Sequence, residues 1–175
     1  MCCCCGRGGT DAYNRYILER GPTNSAAALI VRTPEAAADP FVVDKIRKTE
    51  AIFFAGGDQW NSINFWKGTP LAAAVQERID AGYPVGGTSA GLAVLGQYYF
   101  SAEFDTVTSA EAMANPGSKK IALGKDFLKI RHLENSITDS HFSARRREGR
   151  LDVFLKEFGV RGLWGWGLTR LRRCC

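Results

Sequence analysis

Pro84-Val85-Gly86-Gly87-Thr88-Ser89-Ala90-Gly91 (84–91) contains G-x-S-x-G set between an apolar lead-in and a small-residue helix expected over 90–95. A serine on so sharp a strand-to-helix turn projects its hydroxyl away from a sheet, and the flanking glycines are required because a Cβ would clash in the bend. The helix that follows turns its amino end toward the hydroxyl, so the N–H of Ala90 is placed to bind an oxyanion. Taken alone, G-x-S-x-G also reads as a closely packed βα turn. The strand before it and the helix after it favour a serine nucleophile at Ser89.

Upstream, Ala28-Leu29-Ile30-Val31-Arg32 and Ala51-Ile52-Phe53-Phe54-Ala55 are short apolar runs of the buried-strand type. A helix is expected over 40–48, with Asp39 as its N-cap and Pro40 at its first position. Another is expected over 71–81, where Leu71, Ala74, Val75 and Ile79 recur at helical spacing and Gly82 follows. Downstream, Ile137-Thr138 ends a strand. Residues 145–158 predict an amphipathic helix with Leu151, Phe154, Leu155 and Phe158 on one face, closed by Gly159. Strands alternating with helices imply an α/β fold: a three-layer, doubly wound, mostly parallel sheet with function at the strand carboxyl ends.

Two further segments follow expected strands. In Asp139-Ser140-His141-Phe142, His141 is placed where a general base could reach Ser89, whereas His132, the other histidine, sits among charges and reads as surface. In Phe54-Ala55-Gly56-Gly57-Asp58-Gln59, the N–H groups of Gly57 and Asp58 could complete an oxyanion hole and Gln59 could hydrogen-bond a substrate; Asp58 reads equally as the cap of the next helix. Next to the histidine, Arg145, Arg147 and Arg150 suggest an anionic substrate, because arginine binds carboxylates bidentately; Arg146 reads as solvated surface.

The chain of 175 residues is 45% hydrophobic and 23% charged, with a formal net charge of +5. That length suits one domain, and the composition excludes wholesale disorder. No run approaches the roughly 20 apolar residues of a membrane span, and no secretory h-region is visible, so no membrane partner and a cytoplasmic location are expected. All six cysteines, Cys2 to Cys5 with Cys174 and Cys175, lie at the ends, where they have no interior to staple and lack C-x-x-C spacing. The charge is also peripheral. Residues 159–175 hold four of the 23 basic residues and no acid, which leaves 19 basic against 18 acidic elsewhere. No aromatic-interleaved basic stripe appears, so nucleic acid is not an expected partner.

Together, residues 54–59, 86–91 and Asp-Ser-His-Phe-Ser-Ala-Arg-Arg-Arg-Glu-Gly-Arg-Leu (139–151) resemble the cyanophycinase family, serine peptidases related to aspartyl dipeptidase within the class I glutamine amidotransferase-like (flavodoxin-like) folds. The resemblance runs over roughly residues 9–163. It implies cleavage of cyanophycin, a poly-aspartate carrying arginine on each side-chain carboxylate, to β-Asp-Arg through an acyl-enzyme, with no cofactor and no metal. Ser89 is then the nucleophile, His141 the base and Glu111 the third triad member; Gly57 and Ala90 form the oxyanion hole. Gln59, Asp58, Asp139, Ser140, Arg145, Arg147 and Arg150 make up the substrate-contacting set, in which Asp139 holds a guanidinium. The implied partner is cyanophycin or a β-aspartyl peptide, and a homodimer is allowed for.

Against relatives of this kind the chain is expected to be shortened at both ends. Residues 1–8 read as a leader outside the domain, 9–163 as the α/β domain and 164–175 as a basic tail, the tail replacing a stretch in which other members carry an acidic pair. The alternative readings are a catalytically inactive relative that keeps a groove for cyanophycin or β-aspartyl peptides, and a basic nucleic-acid-binding protein.

Overall fold

A computed structural model describes residues 2–3, 12–19 and 23–169. Cys4, Cys5, Gly9 to Asp11, Arg170, Arg172, Arg173, Cys174 and Cys175 lie outside the described residues. Two four-stranded sheets carry the helices. The first has the order β2-β1-β3-β4, all parallel, with β1 Cys2–Cys3, β2 Ala28–Leu29, β3 Ile52–Phe54 and β4 Val85–Gly87. That order is the doubly wound flavodoxin-like arrangement. The second has the order β6-β5-β7-β8, with β5 Tyr98–Phe100, β6 Leu123–Lys125, β7 Ser136–Asp139 and β8 Trp164–Gly167; only the β5–β6 pair is antiparallel. The fold is α/β and mostly parallel, as the alternating pattern implies.

Both ends of the described chain enter the sheets. Cys2–Cys3, in the stretch expected to lie outside the domain, pairs between β2 and β3. Trp164–Gly167, in the expected tail, pairs along β7. Backbone hydrogen bonding explains how such unstrandlike sequences join a sheet: a parallel ladder is made by N–H and C=O groups that every residue but proline carries.

The helices begin where local chemistry starts them. Asp39 caps α3 (Pro40–Arg47), its Oδ1 accepting from Phe41 N–H at 2.8 Å, with Pro40 in the first turn. Thr69 caps α5 (Pro70–Asp80) in the same way. Leu71, Ala74 and Val75 of α5 are buried with Phe54, Ile46 and Trp66 in the first core. The last long helix, α8, runs from Glu148 to Phe158, three residues shorter at its start than the periodicity predicts. The reason is local: 143–145 form a 3-10 turn and Arg146 adopts φ 47, a left-handed conformation that cannot continue an α-helix. In α8, Leu151 and Phe154 are buried in the second core, and Leu155 and Phe158 pack partly buried against it.

Helices α1 (Ala12–Leu18), α2 (Pro34–Ala38) and α7 (Ser109–Ala114), with strands β5 and β6, are additions to the sequence reading, and α4 (Gln59–Trp66) is the helix that follows the Asp58 cap. Among the described residues no helix is long and apolar enough to cross a membrane. The small helix α6 (Ala90–Ala93) joins the two sheets. Thr138 of β7 fastens this seam: its Oγ1 donates to Leu92 O at 2.7 Å and accepts from Gly96 N–H at 3.3 Å.

Candidate functional site

Ser89 sits between β4 and α6 with φ 54 and ψ −120, a strained conformation for a residue with a side chain. Its neighbours hold it there. Thr88 N–H donates to Phe54 O at 3.0 Å, and Leu92 and Ala93 N–H both donate to Ser89 O. The bend closes so tightly that a Cβ on Gly91 would overlap the carbonyl of Phe54. One on Gly56 would lie 3.0 Å from Ser89 Cβ. The Gly-Gly turn after β3 and the glycines of β4 and α6 are therefore one device: they let the two loops close on each other beneath the hydroxyl.

His141, two residues beyond the Asp139 end of β7, also has positive φ (52), and its Nε2 lies 2.8 Å from Ser89 Oγ. The contact joins residues 52 positions apart and spans the two sheets. Burial pushes the His141 imidazole below its ordinary range; the nearby positive charges of Arg145 and Arg147 act in the same direction, and Asp139 opposes them. The ring is thus neutral, able to accept a proton, over most of the physiological range.

The pair opens into a cleft of about 450 Å³ lined by Gly57, Asp58, Gln59, Ala90, Ser140 and the three arginines expected from the sequence, and also by Phe100, Ala102, Asp105 and Thr106. Among the described residues the N–H groups of Gly57 and Ala90 donate to no internal acceptor outside the helices and strands, so both can donate into it. Gln59 donates one amide N–H to Phe100 O at 3.0 Å, so that part of its hydrogen-bonding capacity is used within the protein. Asp58 caps α4 through Oδ1, which accepts from Trp60 N–H at 3.0 Å, so the capping reading describes its placement.

Asp139 is where the arrangement differs most from the expected set. Its carboxylate is buried and already engaged: Arg150 Nε donates to Oδ2 at 2.8 Å and Nη2 to Oδ1 at 2.6 Å, and Oδ1 also accepts from Arg147 Nη1 at 3.0 Å and Ser140 N–H at 2.8 Å. Arg150 is only 2% exposed, its third nitrogen donates to Val107 O at 3.1 Å, and its guanidinium lies 5.2 Å from the Phe100 ring centre. Asp139 therefore binds the chain's own arginines and has no place left for a substrate guanidinium. Arg150 is spent on that pair. Arg147 is half-buried and carries charge that Asp139 cannot fully offset; burial and the neighbouring Arg150 push its guanidinium below the ordinary range. Arg145 is exposed at the rim.

The structure does not bring Glu111 to His141. The Glu111 carboxylate closes a capping box at the start of α7, accepting from Thr108 N–H at 2.8 Å and Thr108 Oγ1 at 2.7 Å, and its other oxygen lies 3.8 Å from Lys120 Nζ. A T-x-x-E spacing before an Ala-rich segment is a capping signature, and Thr108-Ser109-Ala110-Glu111 carries it. The cleft residues not foreseen, Phe100, Ala102, Asp105 and Thr106, lie at the end of β5 and in the loop after it; an aromatic strand read over Tyr98-Tyr99-Phe100 points to that loop.

The chain is 29% identical over 142 residues to a cyanophycinase from Geminocystis herdmanii (strain PCC 6308), an alignment that covers 81% of this chain and 48% of that protein. The chain thus spans about half the length of the curated relative it matches. The fold, over 97% of this chain, matches 66% of a peptidase from an acI-B1 Actinobacterium known from its crystal structure, with a TM-score of 0.62 and 18% identity. The family model of peptidase family S51 matches residues 25–157, a span that holds the serine elbow, His141 and the arginines after it, and the chain belongs to that family.

Proposed function

We propose that the protein is a serine peptidase that hydrolyses cyanophycin, or shorter β-aspartyl peptides, to β-Asp-Arg. The observation that carries the reading is the 2.8 Å contact between His141 Nε2 and the hydroxyl of an elbow serine. In this reading Ser89 Oγ attacks the scissile carbonyl while His141 Nε2 takes its proton. The negative oxygen of the tetrahedral intermediate is held by the N–H groups of Gly57 and Ala90. The imidazolium then gives its proton to the leaving amine, and an acyl-enzyme on Ser89 remains. Water attacks that ester by the same steps in reverse: His141 takes the water proton and returns it to Ser89 Oγ as the acid product leaves.

The charge of Asp139 favours the imidazolium, so it offsets part of the cost of charging His141 between the arginines. Arg147 and Arg145, which line the cleft, are suited to substrate carboxylates. The substrate preference is supported by the cyanophycinase relative and by this pairing of a serine site with arginines.

The test is direct. Incubated with cyanophycin, the protein should release β-Asp-Arg, and a serine-directed phosphonate should add its mass at Ser89. In Ser89→Ala both should vanish, with turnover falling by about a millionfold. Turnover that survives in Ser89→Ala would sink the reading.

A further inference from the structure

The saturated state of Asp139 leaves a gap in the proposed chemistry. An arginine-bearing substrate brings a guanidinium into the cleft, and two other carboxylates line that cleft, Asp58 and Asp105. Asp58 belongs to the same loop as Gly57, beside the proposed oxyanion donor, and its Oδ1 caps α4. Asp105 lies in the separate loop between β5 and α7, a segment whose backbone is strained at Ala102 (φ 57) and at Asp105 itself (φ 133). Such strain persists only where surrounding structure holds it, and it clusters at ligand clamps.

The partners of Asp105 are few and exchangeable. Oδ1 accepts from Thr106 N–H at 2.7 Å, while Oδ2 meets Lys120 Nζ at a long 3.4 Å. Lys120 has a second carboxylate within reach, Glu111 at 3.8 Å. Two carboxylates thus share one ammonium, which leaves this rim with an excess negative charge. Arg145, Arg147 and Arg150 line the same cleft and outnumber Asp139. A substrate that carries both a carboxylate and a guanidinium finds a partner for each among these lining residues.

We infer that Asp105 is the residue that recognises the substrate's guanidinium, releasing Lys120 to Glu111 as it does so. The inference rests on the peptidase reading above and names the part of that site which selects a cationic side chain. A guanidinium is the better partner because its planar fork meets a carboxylate with two parallel N–H donors, whereas an ammonium meets it as a point charge. The Thr106 N–H and Lys120 hold the Asp105 carboxyl below its usual range.

Calorimetric binding to the Ser89→Ala protein tests this, with β-Asp-Arg and its neutral isostere β-Asp-citrulline as probes. Adding Asp105→Asn should weaken β-Asp-Arg by about tenfold and leave β-Asp-citrulline within about twofold. Adding Lys120→Met instead should tighten β-Asp-Arg, because the competing ammonium is gone; weaker binding would overturn the exchange. Equal losses for both peptides, no loss, or a larger discrimination lost in Asp58→Asn would overturn the role of Asp105 while leaving the peptidase reading intact. If neither peptide binds the Ser89→Ala protein, the inference falls together with the functional reading.

Discussion

In the first sheet Ser89 is held by an absence of side chains, with Gly56, Gly87 and Gly91 letting β3, β4 and α6 approach until a Cβ at position 91 would meet a backbone carbonyl. In the second sheet His141 is held by an excess of polar contacts: Asp139, Arg147 and Arg150, linked by bonds of 2.6 to 3.0 Å, fix the residues immediately before it. The first device works by steric exclusion and is insensitive to charge. The second is a buried ionic network, strong only while every member is paired. The contrast locates the weak point of the site on the His141 side, where one lost partner leaves a charge buried.

The largest effect should therefore come from Arg150→Met, which leaves the buried Asp139 carboxylate with half its cationic partners. It should destabilise the fold by about 3–5 kcal/mol in urea unfolding. A variant as stable as the parent would mean that the network does not hold this half of the site. Next is the seam. Thr138→Val keeps shape but removes the hydroxyl that bonds Leu92 O and Gly96 N–H, at a cost of about 1–3 kcal/mol by the same assay. An unchanged midpoint would mean that the two sheets are joined by apolar packing alone.

Smaller effects sharpen the comparison on the chemical side. Glu111→Gln should leave kcat within about twofold, because the carboxylate caps α7; removal of a triad acid costs about ten-thousandfold. Smallest is a shift in pH dependence. Arg145 helps to hold the His141 imidazole below its ordinary range, so Arg145→Gln should raise it. The neutral ring is the active form, so the acid limb of the kcat/KM profile should move to higher pH. Movement to lower pH, or none, would show that Arg145 does not act on the ring.

Part of this arrangement is legible without coordinates because it is local. The elbow, the caps at Asp39 and Asp58 and the apolar faces of α5 and α8 each depend on residues within a few positions of one another. The 40–48 and 71–81 helices match α3 and α5 to within a residue at each end for the same reason. Other features were hidden because their partners are remote. Asp139 reads as a free carboxylate until Arg150 folds over it from the next helix. Glu111 could be weighed as a triad acid because chain order alone does not tell a capping carboxylate from a catalytic one. Strands β1 and β8 carry no strand pattern; ladder pairing with neighbours recruits them.

Sequence alone thus determines the α/β alternation, the serine on its strained turn, and the histidine and arginines that stand after a strand, since glycine sterics, capping and hydrophobic period act over a few residues. Tertiary structure alone decides that Ser89 and His141 meet, that Asp139 is consumed within the protein, and that Asp105 rather than Glu111 faces the cleft. Those outcomes depend on distances across two sheets, and on which charges burial forces to pair with one another before any substrate arrives.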